Sequence, residues 1–181
     1  MDAAKTDRFF ALSTNHPAPV PTDVRIRVLV GATDEGLYVG WICYDDTPSE
    51  IVTRATRDDD RSPYVWQEDR IELHLDHEFR HIAPFHLLAV NFLGFLTDLV
   101  SRGFGSGDDI WDGDVESETS VGEDRWTVEL LLRHDDNVKA KPPARCGASI
   151  SCVLSGAPSM CNWVRTYPNG LVPDDFGILR F

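Results

Sequence analysis

The sequence predicts an all-β protein, an antiparallel β-sandwich, on three observations. Short runs in which apolar and polar residues alternate recur along the chain, the period-two signature of strands with one buried face. Clusters of Gly, Pro, Asn and Asp punctuate those runs at turn-like spacing. No stretch carries apolar residues at the helical period for long enough to make a substantial helix. The 181 residues, 42% hydrophobic and 26% charged, read as one globular domain over residues 1–181. A chain of that size buries roughly 70% of its unfolded surface.

Residues 1–21 form an irregular lead-in with Pro17, Pro19 and Pro21 close together, and its apolar run Phe9-Phe10-Ala11-Leu12 suits an edge strand. Residues 24–31 then alternate, with Val24, Ile26, Val28 and Val30 on one face, and Ala32-Thr33-Asp34-Glu35-Gly36 turns the chain back through residues 37–44 as a hairpin. In that return arm Trp41 shares a face with Leu37, Val39 and Cys43, so its expected role is core packing. The polar stretch 50–60 has room for one short helical turn. Strands are expected over 71–76, 85–92 and 95–100, the last two joined at Gly94. Residues 101–114, rich in Gly and Asp around Trp111, read as a loop. A hairpin follows over 115–121 and 125–132, with Trp126 in the interior of its second arm and expected to pack in the core. After Pro142-Pro143, strands at 148–154 and 176–181 bring the expected total to eight or nine.

The densest chemistry lies in Tyr64-Val65-Trp66-Gln67-Glu68-Asp69-Arg70-Ile71-Glu72-Leu73-His74-Leu75-Asp76. Ile71, Leu73 and Leu75 fall on one face, and Glu72, His74 and Asp76 on the other, which reads as a half-buried strand with three ionisable groups on its wet face. The loop before it presents Trp66. An aromatic face that covers sugar C–H bonds, beside carboxylates that accept from hydroxyls, is the pairing a small polar ligand needs. The plainer alternative is a solvated strand face with no ligand.

Charge narrows the partners. The net charge of −13 is concentrated in Asp58-Asp59-Asp60, Asp108-Asp109 and Asp174-Asp175, and basic runs are absent. Such a surface repels phosphate backbones and anionic lipid heads, which argues against nucleic acid and against membrane insertion. The N-terminal residues lack the apolar core of a signal peptide, and no run reaches about 18 continuous apolar residues. None of Cys43, Cys146, Cys152 and Cys161 sits at a C-x-x-C spacing, which argues against a zinc ribbon. Cys43 and Cys152 lie in apolar strand-like runs. Cys146 and Cys161 flank a hairpin-length segment, so an exported chain has the option of pairing them, which the sequence leaves open.

Taken in order, several segments carry a resemblance: Thr22-Asp23-Val24-Arg25-Ile26 with Gly36-Leu37-Tyr38-Val39-Gly40, Tyr44-Asp45-Asp46-Thr47-Pro48, Val65-Trp66 three residues before Asp69, Glu72-Leu73-His74-Leu75-Asp76, Val90-Asn91-Phe92-Leu93-Gly94, Trp126-Thr127-Val128-Glu129, and Pro173-Asp174-Asp175-Phe176-Gly177. Over residues 22–181 the chain resembles the carbohydrate-binding module family 9 and the wider DOMON-like superfamily of β-sandwiches. The resemblance implies a non-catalytic module that grips a polysaccharide or oligosaccharide, often at a chain end, between two tryptophans. It also implies carboxylate and amide groups that read hydroxyls, bound calcium that steadies loops, and an extracellular or periplasmic setting. By motif, Trp66 matches the first stacking aromatic and Glu72 the acidic residue on the binding face. The second aromatic falls in the segment that holds Trp163 and Tyr167. One position departs from the pattern, since sugar-binding members can carry an arginine just before the Val-Asn pair and this chain has Ala89.

The candidate ligand-binding residues are therefore Trp66, Glu72, His74, Trp163, Asn162 and Trp111. Asp45, Asp46 and Asp69 are the candidate calcium ligands, because hard cations want clustered oxygens. A second reading makes the chain an enzyme or binding protein for a small-molecule metabolite, since a His beside a carboxylate, here His74 beside Glu72, serves as a general acid or base. No nucleophile elbow, phosphate loop or zinc motif accompanies that pair.

Overall fold

The computed structural model describes residues 4–6, 9–11, 20–22, 25–51, 53–54, 63–82, 84–102, 108–134, 145–153, 161–162 and 177–180. In chain order the first strands are β1 (Ala4–Thr6), β2 (Phe9–Ala11), β3 (Val20–Thr22), β4 (Ile26–Ala32) and β5 (Gly36–Tyr44). Then come 3-10 turns at Pro48–Glu50 and Pro63–Gln67, followed by β6 (Arg70–Asp76), β7 (Phe85–Asn91), β8 (Leu96–Ser101) and β9 (Asp108–Ile110). The last strands are β10 (Val115–Val121), β11 (Arg125–Arg133), β12 (Arg145–Val153), β13 (Cys161–Asn162) and β14 (Gly177–Arg180). Five strands form one antiparallel sheet in the order β1-β4-β5-β11-β10. Nine form the other in the order β3-β2-β13-β12-β6-β7-β8-β9, with β14 paired to β12. Among the described residues no helix is long and apolar enough to cross a membrane.

Alternation in the smaller sheet does what the sequence predicts. Ile26, Val28 and Val30 of β4, Leu37, Val39, Trp41 and Cys43 of β5, and Trp126, Val128, Leu130 and Leu132 of β11 point into one core. Their neighbours Arg27, Tyr38 and Glu129 face water. Ile71, Leu73 and Leu75 of β6, Leu88 and Val90 of β7, and Ile150 of β12 close that core from the larger sheet. Trp41 and Trp126 thus take the packing roles expected of them.

The larger sheet departs from expectation in three places. The lead-in supplies β1 to the smaller sheet and β2 and β3 to the larger, where β2 lies between β13 and β3 rather than at an edge. β9 forms inside the segment read as a loop, and it and β13 are too short for alternation to betray them. Most consequentially, β6 is buried on both faces, and so is β7. These are central strands, flanked by β12 and β8, and the 3-10 turn Pro63–Gln67 lays Val65 and Trp66 against Ala89 on the side away from the core. The wet face expected for Glu72, His74 and Asp76 does not exist.

Two turns show how this sheet is finished. Between β7 and β8, Gly94 adopts φ 89°, while the Asn91 side-chain oxygen accepts from the Leu93 and Phe95 N–H groups at 3.0 and 2.9 Å. After β6, Phe79 and His81 take φ of 54° and 59°, conformations unfavourable for side-chain-bearing residues. The buried Asp76 carboxylate holds them there, accepting from Arg80 N at 3.0 Å and His81 N at 2.6 Å.

Candidate functional site

A row of interacting side chains runs along β6 away from the core. Arg70 begins it. Its guanidinium lies over the Trp66 ring, 5.4 Å from the centroid, and Nη1 donates to the Trp66 carbonyl at 2.9 Å and the Glu68 carbonyl at 3.3 Å. Its Nε donates to Glu72 Oε1 at 2.6 Å. The other Glu72 oxygen meets His74 Nε2 at 3.0 Å, and the His74 ring stacks on Phe85 at 5.9 Å. Behind the row, Glu68 Oε2 accepts from Asn91 Nδ2 at 2.8 Å, and Glu68 Oε1 accepts from the Arg54 backbone N–H. Residues two apart on a strand share a face, so Arg-x-Glu-x-His is itself the instruction for this row.

Its electrostatics follow from burial. Desolvation alone pushes the Glu72 carboxyl up, but the His74 hydrogen bond and charge, followed by the Arg70 charge and hydrogen bond, together hold it below the usual 4.5. Glu72 is therefore an anion with both oxygens engaged and only 2% of its surface exposed. It orients Arg70 instead of presenting a free acceptor. His74 is 0% exposed, so the metabolite reading, which needs Glu72 and His74 to meet a substrate, is not favoured.

Of the other candidates, Trp66 remains partly exposed at the end of the row. Asn162 pairs with Ser151, Ser151 with Glu72, and Glu72 with Ala89, so Asn162 and Glu72 occupy one cross-strand row. Two strand spacings, roughly 10 Å, separate them. Trp163, directly after β13, and Tyr167 lie outside the described residues. Trp111 is a correction. It is 6% exposed and belongs to the core, with its ring edge-on to His86 at 4.4 Å. Gly113 explains this, because a Cβ there would come within 2.6 Å of the Trp111 ring. The Gly113 N–H donates to Asp98 Oδ2 at 2.8 Å, which holds the backbone against that ring.

Arg70 is the residue that sequence reasoning passed over. The signal was its place two residues before Glu72. Ala89 leaves no vacancy for an arginine on β7, because Val65 packs on it and both are fully buried.

The three candidate calcium ligands do not come together. Asp46 pairs with Arg25 at 2.6 Å, Asp45 accepts from the Thr47 N–H at 2.8 Å, and Asp69 is buried. Among the described residues no three His, Cys, Asp or Glu side chains converge in a way that can hold an ion. Asp58, Asp59 and Asp60 lie outside the described residues.

The sequence matches no protein-family model and no curated protein. Solved structures are similar in fold. A family 9 carbohydrate-binding module from Caldicellulosiruptor kristjanssonii in complex with cellotriose has a TM-score of 0.63 at 20% identity, covering 88% of this chain and 75% of that one. A family 9 module from the same organism in complex with glucose has a TM-score of 0.63 at 20% identity, with coverage of 94% and 82%. A Bacteroides uniformis protein, provisionally assigned to carbohydrate binding, has a TM-score of 0.71 at 14% identity, with coverage of 99% and 86%. At these identities the likeness is one of architecture, and the chain has the β-sandwich fold of the family 9 carbohydrate-binding modules.

Proposed function

We propose that the chain is a non-catalytic glycan-binding module that takes a neutral sugar at the Trp66–Arg70 end of β6. The observation that carries this reading is a partly exposed indole with a buried, fully oriented guanidinium against it. Arg70 Nε and Nη1 are engaged, and among the described residues Nη2 makes no hydrogen bond. That edge is the donor offered to a hydroxyl pair. A hydrogen bond from a charged donor contributes about 1.5–3 kcal/mol, and aromatic stacking about 0.5–1.5 kcal/mol beyond area burial.

Neutrality of the ligand follows from charge. Glu68, Asp69, Glu72 and Asp76 are all buried along this stretch, where Arg70 is the only arginine, and the whole chain carries −13. A carboxylated sugar enters an already negative field. The cellotriose and glucose held in two structures of the same fold are neutral and support this choice. Trp163 is assigned the second stacking role, supported by its position directly after Asn162 at the end of β13.

Titration calorimetry with cellotriose, glucose and a uronate oligosaccharide tests the proposal. Binding of the neutral sugars, weakened about tenfold by Trp66→Ala, a loss of about 1.4 kcal/mol, is the expected result. No binding of any neutral glycan, or equal binding by the variant, sinks it.

A further inference from the structure

The β12–β13 pair brings together two cysteines that local sequence pattern does not connect. Cys152 stands directly opposite Cys161, next to the pair Ser151 and Asn162. Opposed residues of an antiparallel pair have Cα atoms about 4.5 or 5.5 Å apart, and both spacings fall within the roughly 4.4–6.8 Å that a disulfide spans. The same register argues against pairing Cys146 with Cys161, the option the sequence left open. Cys146 faces Leu179 of β14 near the far end of β12, roughly 20 Å along the strand from Cys152. Cys43 belongs to the other sheet, and its buried thiol is pushed far above its ordinary value by desolvation and then by the Asp69 charge, which leaves it inert.

We propose that Cys152 and Cys161 are a modification site, joined in a cross-strand disulfide that staples β13 to the body of its sheet. The two thiols lose two protons and two electrons as the S–S bond forms. A disulfide oxidant of the glutathione or protein-dithiol class takes up both and becomes two thiols. The location makes the staple consequential. β13 is two residues long, yet it is the element through which β2 and β3 join the sheet. The row of Cys161 and Cys152 continues through Ile71 and Val90, and both of these are fully buried. β13 is followed in sequence by Trp163, so under the sugar reading the staple bears on the residue assigned the second stacking role. That last consequence rests on the proposed function, whereas the disulfide does not.

The test treats the full chain with oxidised glutathione, blocks free thiols under denaturing conditions and maps linked peptides by mass spectrometry. The expected result is a Cys152–Cys161 link with Cys43 and Cys146 blocked, unchanged in Cys146→Ser. A Cys146–Cys161 link, or four blocked thiols, overturns the proposal. Dithiothreitol is expected to lower the melting temperature of the oxidised protein by about 5–10 °C and to leave Cys152→Ser unmoved; equal shifts in both overturn the staple. Cellotriose affinity is expected to fall about 2- to 10-fold on reduction. If the link forms and affinity is the same in both redox states, the platform consequence falls. If no neutral glycan binds in either state, the sugar reading falls and the staple stands on the mapping alone.

Discussion

The two sheets hold ion pairs of the same length with opposite meaning. On the five-stranded sheet Arg133 Nη2 meets Glu116 Oε1 at 2.6 Å, with 34% and 63% of the side chains exposed. In the nine-stranded sheet Arg70 Nε meets Glu72 Oε1 at 2.6 Å, with 8% and 3% exposed. Water screens the first pair, so its geometry contributes little to stability. The second pair is stripped of water, so each charge depends on its partner, and removing one leaves the other uncompensated. The difference comes from burial of the second face of β6 and β7, which converts an ordinary polar alternation into a pre-organised guanidinium beside Trp66.

The comparison breaks most sharply at Glu72. Glu72→Ala is expected to destabilise the fold by about 3–5 kcal/mol, while Glu116→Ala leaves the urea midpoint where it was; equal midpoints for the two variants contradict the contrast. Tryptophans divide in the same way. Trp126→Ala opens a core cavity and lowers stability by about 3–5 kcal/mol, whereas Trp66→Ala keeps its unfolding midpoint and loses cellotriose affinity about tenfold. A large midpoint shift in the Trp66 variant makes that indole a packing residue instead.

Arg70→Lys sharpens the comparison, since lysine keeps the charge and loses the planar fork that serves Glu72, the carbonyls and a ligand together. The expected outcome is folded protein with cellotriose affinity reduced about tenfold, and unchanged calorimetric affinity removes Arg70 from the site. A smaller effect appears with acid. Because the Glu72 carboxyl is held below 4.5 in the folded state, the unfolded chain binds the proton more readily, and folding favours the ionised form. Its contribution is full above the unfolded value and is lost as pH falls through the lower folded value. The stability gap between wild type and Glu72→Gln is therefore expected to narrow below about pH 4.5. A gap that stays constant down to pH 3 contradicts the assignment.

What the sequence made legible follows from the same physics. β4, β5 and β11 each have one wet face, so alternation located them and assigned Trp41 and Trp126 to the core. β6 shows the same alternation, but no residue within the strand announces that Val65 and Trp66 fold over its neighbour β7. The ordered motifs singled out Trp66 and Glu72, while the engagement of both Glu72 oxygens depends on Arg70 and His74 rotamers that spacing does not encode. Trp111 was misread because exposure was inferred from its Gly- and Asp-rich surroundings. The same Gly113 that suggested a loop is what allows the backbone to close over the ring. Cys152 and Cys161 were separated for want of register, which depends on how long strands pair and not on local pattern.

The claim that sugar meets the Trp66–Arg70 end of β6 is tested most directly by nuclear magnetic resonance of the labelled protein titrated with cellotriose. The Trp66 indole N–H and Arg70 Nε–H signals are predicted to shift together and saturate with the calorimetric affinity, while Tyr38 and Glu129 on the outer face of the five-stranded sheet stay fixed. Shifts confined to that outer face, or stationary Trp66 and Arg70 signals at saturating cellotriose, contradict it.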